Sequence, residues 1–380
     1  MAAPGRSLIG IELTEFAGHD MGPTHALLAA MLRAADQVSD LIFSPGRPPQ
    51  VGIHGEWIPI HGPSISILTA DDTRRIAADV IGDNKQAITI LREQGSCDIS
   101  FGVPGVARFR ANVFIQRGSC ALVMRVIPTV IPTLGVLGLP EQLARVSDLR
   151  DGIVLVTGGR GSGKSSTLAA LLNRINEERV CHIITVEDPI EFLHNHKRAT
   201  VHQRELHSDT ATFAMGLRSA LRQSPQVILV SEIHEAHTMS TLLEAAETGQ
   251  LVLSSMNTVD TVKAVERAIG MFAASEQASV RNRIAKVFRA IVSVRLIPRA
   301  DEAGRVAAVE ILNFTPEVRE CVEQDPALLP ALMEKFQNPG EGMQTFDSEI
   351  EKLIRSGVID LETGASFATS AADLRKRFAQ

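Results

Sequence analysis

The chain has 380 residues, 44% of them hydrophobic and 22% charged, and a net charge of −6. That length accommodates two domains with separate cores, and the acidic balance argues against a protein that wraps nucleic acid on a basic surface. Tyr is absent and Trp occurs once, as Trp57, so the cores must be aliphatic.

The four cysteines (Cys97, Cys120, Cys181, Cys321) form no C-x-x-C pair, which argues against a zinc site or a disulfide framework and suits a reducing compartment. Residues 1–8 carry one Arg and no apolar run of signal-peptide length. No apolar run reaches the about 18 residues that a membrane span needs. The expected location is therefore cytoplasmic, at an inner membrane only through partners.

Residues 1–23 read as a loose or strand-like leader. A helix is expected over 24–36, with Leu27, Leu28, Met31, Leu32 and Ala35 on one side. Pro and Gly are then frequent, and short strand-like pieces (51–53, 57–60) lie between them. A second helix starts near Asp71. Segments 106–116 and 121–127 alternate as antiparallel strands, the first bearing Arg108 and Arg110 and the second Arg125. This predicts a small α+β domain over 24–127 and a Pro-containing linker over 128–148.

From Leu149 the pattern changes. Apolar β-branched runs recur at 153–157, 182–186, 227–230 and 251–255, as expected of strands buried on both faces of a parallel sheet. Helical spacing between them (Leu168, Leu171, Leu172, Ile175; Met239, Leu242, Leu243, Ala246) predicts a doubly wound α/β domain over 149–380. Beyond about Phe272 the pattern is mostly helical, with one strand-like segment at 306–312.

Gly158-Gly159-Arg160-Gly161-Ser162-Gly163-Lys164-Ser165 matches G-x-x-x-x-G-K-[ST] directly after a strand and before a helix. Glycines let backbone amides approach phosphate oxygens, and the helix N-terminus adds positive potential. Gly158, Gly161, Ser162, Gly163, Lys164, Ser165 and Ser166 are the expected ATP-binding residues, with Lys164 on the β- and γ-phosphates and Ser165 on Mg2+. Two later strands run into acids, Glu187-Asp188-Pro189-Ile190-Glu191 and Ser231-Glu232. Carboxylates at those strand ends face the nucleotide in such folds.

Segments 154–165, 185–192, 227–232 and 244–258 resemble the Walker A, Asp box, Walker B and His box of the secretion and pilus ATPase superfamily. The likeness to PilT- and PilU-type pilus retraction ATPases runs through nearly the whole chain from about Thr24. The resemblance implies a PAS-like N-terminal domain and a RecA-like ATPase domain in a homohexamer, driven by Mg·ATP hydrolysis in twitching motility. It implies an inner-membrane platform partner of a pilus or secretion machine, with a PilT-type paralogue as a further partner, and no nucleic acid. It assigns catalytic roles to Glu191 and Glu232, and brings Arg108, Arg110 and Arg125 to the phosphates.

The chain departs from the family at Asn257, usually His, and at Gln226, usually acidic. An accessory nucleotide-binding paralogue with weak turnover and an ATPase of a type II or conjugative secretion system are the alternatives. His234 and His237 stand three residues apart, one short of a zinc-protease pair. His194, His196, His202 and His207 read as a polar loop.

Overall fold

The computed structural model describes residues 11–12, 22–35, 38–53, 55–62, 67–128, 130–302, 304–335 and 343–379. Most of the expected leader and the last residue of the first expected helix, Asp36, lie outside the described residues. The chain divides into two compact units, Met1–Thr129 and Val130–Gln380.

The first unit contains strands β1 (Ile11–Glu12), β2 (Asp40–Phe43), β3 (Gln50–Ile53), β4 (Glu56–His61), β5 (Ser96–Val103), β6 (Ala107–Gln116) and β7 (Ser119–Ile127). They form one sheet in the order β1-β4-β3-β2-β7-β6-β5. Helices α1 (Pro23–Arg33), α2 (Ala70–Ile81) and α3 (Lys85–Gln94) complete it. Thr69 begins α2 with a capping box: its hydroxyl accepts from the Asp72 amide, and the Asp72 carboxylate accepts from the Thr69 amide. Leu28, Met31, Leu41, Phe43, Phe109 and Met124 fill the core between helices and sheet.

The second unit is built on strands β8 (Gly152–Thr157), β9 (His182–Glu187), β10 (Thr200–Glu205), β11 (Val227–Val230), β12 (Leu251–Met256), β13 (Phe288–Pro298) and β14 (Arg305–Asn313). Their order is β10-β9-β11-β12-β8-β13-β14, parallel except for the β13–β14 hairpin. All six residues of β8 are buried, and each Val, Leu or Ile so buried contributes roughly 1.5–3 kcal/mol.

Helices α4 (Lys164–Glu178), α5 (Phe213–Leu221), α6 (Ala236–Glu247), α7 (Thr261–Gly270) and α8 (Gln277–Val287) accompany the sheet. The helices α9 (Pro316–Gln324), α10 (Leu329–Lys335), α11 (Phe346–Arg355), α12 (Leu361–Phe367) and α13 (Ala371–Phe378) follow it. Two apolar clusters include the sheet: Leu171, Val154 and Val292 belong to one, Leu242, Ile228 and Ile284 to the other.

Three readings need correction. Beyond Phe272 there are two strands, not one: β13 starts directly after α8 with no Gly or Pro between them. Its apolar residues come as a block, Ala290–Val292, then Val294 and the pair Leu296–Ile297, broken by Arg289, Ser293 and Arg295, so their spacing carries no sustained period of two. The segment of His202 is the edge strand β10, paired with β9. Within the expected linker, residues Glu141–Asp148 form a 3-10 helix that buries Leu143 and Val146 in the cluster of Leu168 and Leu171.

Candidate nucleotide-binding site

The loop 158–163 leaves the C-terminal end of β8 and enters α4. Its glycines answer to specific steric demands. Gly158 has φ +148°, and a Cβ there would lie 2.5 Å from the Val294 carbonyl oxygen and against Ser162 Oγ. Gly163 has φ +98° and stands at the N-cap of α4, which has no side-chain cap. The first-turn amides of α4 therefore remain available to an anion. Ser162 Oγ is buried and has no hydrogen-bond partner among the described residues.

Lys164 Nζ donates to the carbonyls of Gly158 (3.0 Å) and Gly159 (2.9 Å) and to Asn257 Oδ1 (2.6 Å). Burial lowers its pKa, and the nearby Glu232 and Glu191 act against that shift. Ser165 Oγ donates to Glu191 Oε1 at 2.8 Å. Asn257, just past the end of β12, donates through Nδ2 to Glu232 Oε1. Lys164, Asn257 and Glu232 are thus a continuous chain of hydrogen bonds from the loop to the end of β11. These residues line a cleft of about 560 Å³ together with Arg160, Asp188, His234 and Arg305, a volume within the range of small-molecule sites.

Behind Glu191 the polar lining continues inward. Glu187 ends β9 and is 9% exposed. Burial pushes its carboxyl up to about 7, although Thr185 Oγ1 (2.6 Å) and Gln203 Nε2 (3.0 Å) both donate to it. His194 lies in the same wall, and burial pulls its pKa down to about 4.

The structure thus gathers Lys164, Ser165, Glu191 and Glu232 around one cleft. Arg108, Arg110 and Arg125 stand in the other unit. Arg110 pairs in register with Arg125, Arg108 is two residues along β6, and all three share one sheet face. Arg125 Nε donates to Asp40 Oδ1 at 3.0 Å. His234, part of the rejected zinc pattern, is a cleft residue that spacing did not signal; its Nδ1 is 3.5 Å from Glu232 Oε1. Among the described residues no group of three or more His, Cys, Asp and Glu could hold a metal ion.

Residues 107–328 match the family described as "Type II/IV secretion system protein". The chain belongs to this family. It is 40% identical over 330 residues to the "Type IV pilus retractation ATPase PilT" of Pseudomonas aeruginosa, covering 87% of this chain and 94% of that relative. It is 35% identical to that organism's "Type IV pilus ATPase PilU", covering 89% and 87%. The crystal structure of "the Pilus Retraction Motor PilT and Bound ADP" is similar with TM-score 0.81 at 35% identity, over 94% of this chain and all of that one. The cleft is lined mainly from segments 154–165, 185–192, 227–232 and 244–258. The chain is a PilT-like ATPase. No helix among the described residues is long and apolar enough to cross a membrane.

Proposed function

We propose that this chain hydrolyses ATP in the cleft beside Lys164 and uses the energy to retract type IV pilus subunits. The observation that carries this reading is the continuous polar arrangement Ser165–Glu191 and Lys164–Asn257–Glu232 at the mouth of the glycine loop.

The amides of residues 161–166 bind the phosphate oxygens, and the Lys164 ammonium exchanges carbonyl partners for the β- and γ-phosphates. Glu191 and Glu232 hold the attacking water, and one of them accepts its proton as the water oxygen bonds to the γ-phosphorus and the bond from that phosphorus to the β–γ bridging oxygen breaks, releasing ADP. The donor chemistry suits magnesium: Ser165 Oγ is a hard oxygen ligand in the first turn of α4, beside a carboxylate. Ser165 would hold the magnesium ion, which when bound would offset the negative charge of the phosphates. Arg108, Arg110 and Arg125 are assigned to the γ-phosphate, where a cation stabilises the transferring group. The subunits form a homohexamer that works on an inner-membrane platform protein, as the kinship with PilT and PilU suggests.

The test is phosphate release from Mg·ATP by wild type, Glu191→Gln and Glu232→Gln, with nucleotide binding measured beside it. Wild type turns over; each variant loses about a hundredfold in rate and keeps nucleotide binding within a few-fold. Variants that turn over like wild type refute the assignment of these carboxylates.

A further inference from the structure

We infer that Arg295, on β13, is a positioning residue for Asn257, and that it makes the C-terminal helices α11 and α12 part of the catalytic apparatus. The inference rests on the ATPase reading above.

The loop between β12 and α7 carries Asn257 at its start. Two residues later, the Val259 carbonyl accepts from an Arg295 terminal nitrogen at 3.2 Å. The other terminal nitrogen of Arg295 donates to the Phe367 carbonyl at the end of α12, at 2.6 Å. The guanidinium carbon lies over the Phe346 ring at the start of α11, 3.7 Å from its centroid. One planar group therefore joins the loop to two helices.

A second residue doubles the link. Glu310 on β14 is 6% exposed, and it accepts from the Thr261 amide (2.9 Å) and the Thr261 hydroxyl (2.8 Å) at the other end of the same loop. The Phe346 amide also donates to Glu310. Burial lowers the Arg295 pKa, while Glu310, Asp260 and Asp347 raise it. A desolvated guanidinium with both terminal nitrogens engaged is a geometric constraint more than a source of stability.

The loop so constrained is the one whose Asn257 must meet Lys164 Nζ and Glu232 Oε1 together. The opposite face of β13 meets the glycine loop, since Val294 O and Leu296 lie against Gly158 and Gly163. Catalytic geometry is lost steeply when such a group drifts.

A double-mutant cycle tests this. Single-turnover phosphate release and KM for ATP are measured for wild type, Arg295→Ala, Arg295→Lys, Asn257→Ala and the double variants. Arg295→Ala is expected to lower the rate about tenfold with KM within about twofold, and Arg295→Lys to recover part of it. In the Asn257→Ala background the further loss falls below about twofold, because the effect passes through Asn257. Additive losses, or an Arg295→Ala rate equal to wild type, overturn the inference. If Arg295→Ala does not fold, the same cycle is read with Arg295→Lys. A wild type without turnover would instead overturn the ATPase reading, so the two failures are distinct.

Discussion

Asn257 shows what the site requires of a single side chain. It accepts from a cation, Lys164, and donates to an anion, Glu232. A primary amide has both groups, as does neutral imidazole. Asn257 thus meets a donor and an acceptor at once without carrying charge. Asp lacks the donor and would place two carboxylates side by side. Asn257→Asp is therefore expected to lower the ATPase rate at least about tenfold, whereas Asn257→His keeps most of it; equal rates for the Asp variant and wild type would contradict this role.

Much of the site was legible one residue at a time, because Lys164, Ser165 and the glycines belong to a motif whose chemistry fixes its members. What spacing could not show was contact between strand ends distant in sequence, such as Lys164 with Asn257. Gln226 illustrates the reverse. Its departure from the family's acid looked functional, yet Gln226 stands before β11, at the end remote from the cleft. There its side-chain oxygen accepts from the His182 amide at 2.7 Å.

At the scale of elements, β9 and β10 set the electrostatics behind Glu191. Glu187 and Glu205 face each other in register on these strands, and both are buried. Glu187 titrates at about 7 in the fold against its ordinary 4.5. Between these values the unfolded chain binds fewer protons than the native one, so this group lowers stability as pH rises and its full penalty stands above 7. At about 1.4 kcal/mol per pKa unit the penalty is on the order of 3 kcal/mol. His194, held neutral down to about 4, has the opposite sign: its penalty grows as pH falls below its ordinary value of 6.5. Glu187→Gln is thus expected to raise Tm at pH 8 and to give little change at pH 4.5. Thermal melts of both proteins at the two pH values check this; a gain at low pH alone would contradict it.

The parallel strands β8, β9, β11 and β12 were readable because burial on both faces makes them continuous apolar runs. What hid β13 was its start directly after a helix without a breaker. The edge strand β10 was hidden by its polar outward positions, His202 and Arg204 among them.

For the molecule as a whole, kinship with PilT and PilU extends over both units, while the chemistry read from contacts belongs to the second. The three arginines of the first unit share a sheet face with Asp40 as a counter-charge for Arg125. That face is suited to an anionic partner. The retraction motor then turns on one event, capture and cleavage of ATP at the glycine loop. The most direct measurement of that event is steady-state phosphate release from Mg·ATP by the purified full chain, wild type against Lys164→Ala. The account predicts release by wild type and a rate at background for the variant; equal rates in the two proteins would contradict it.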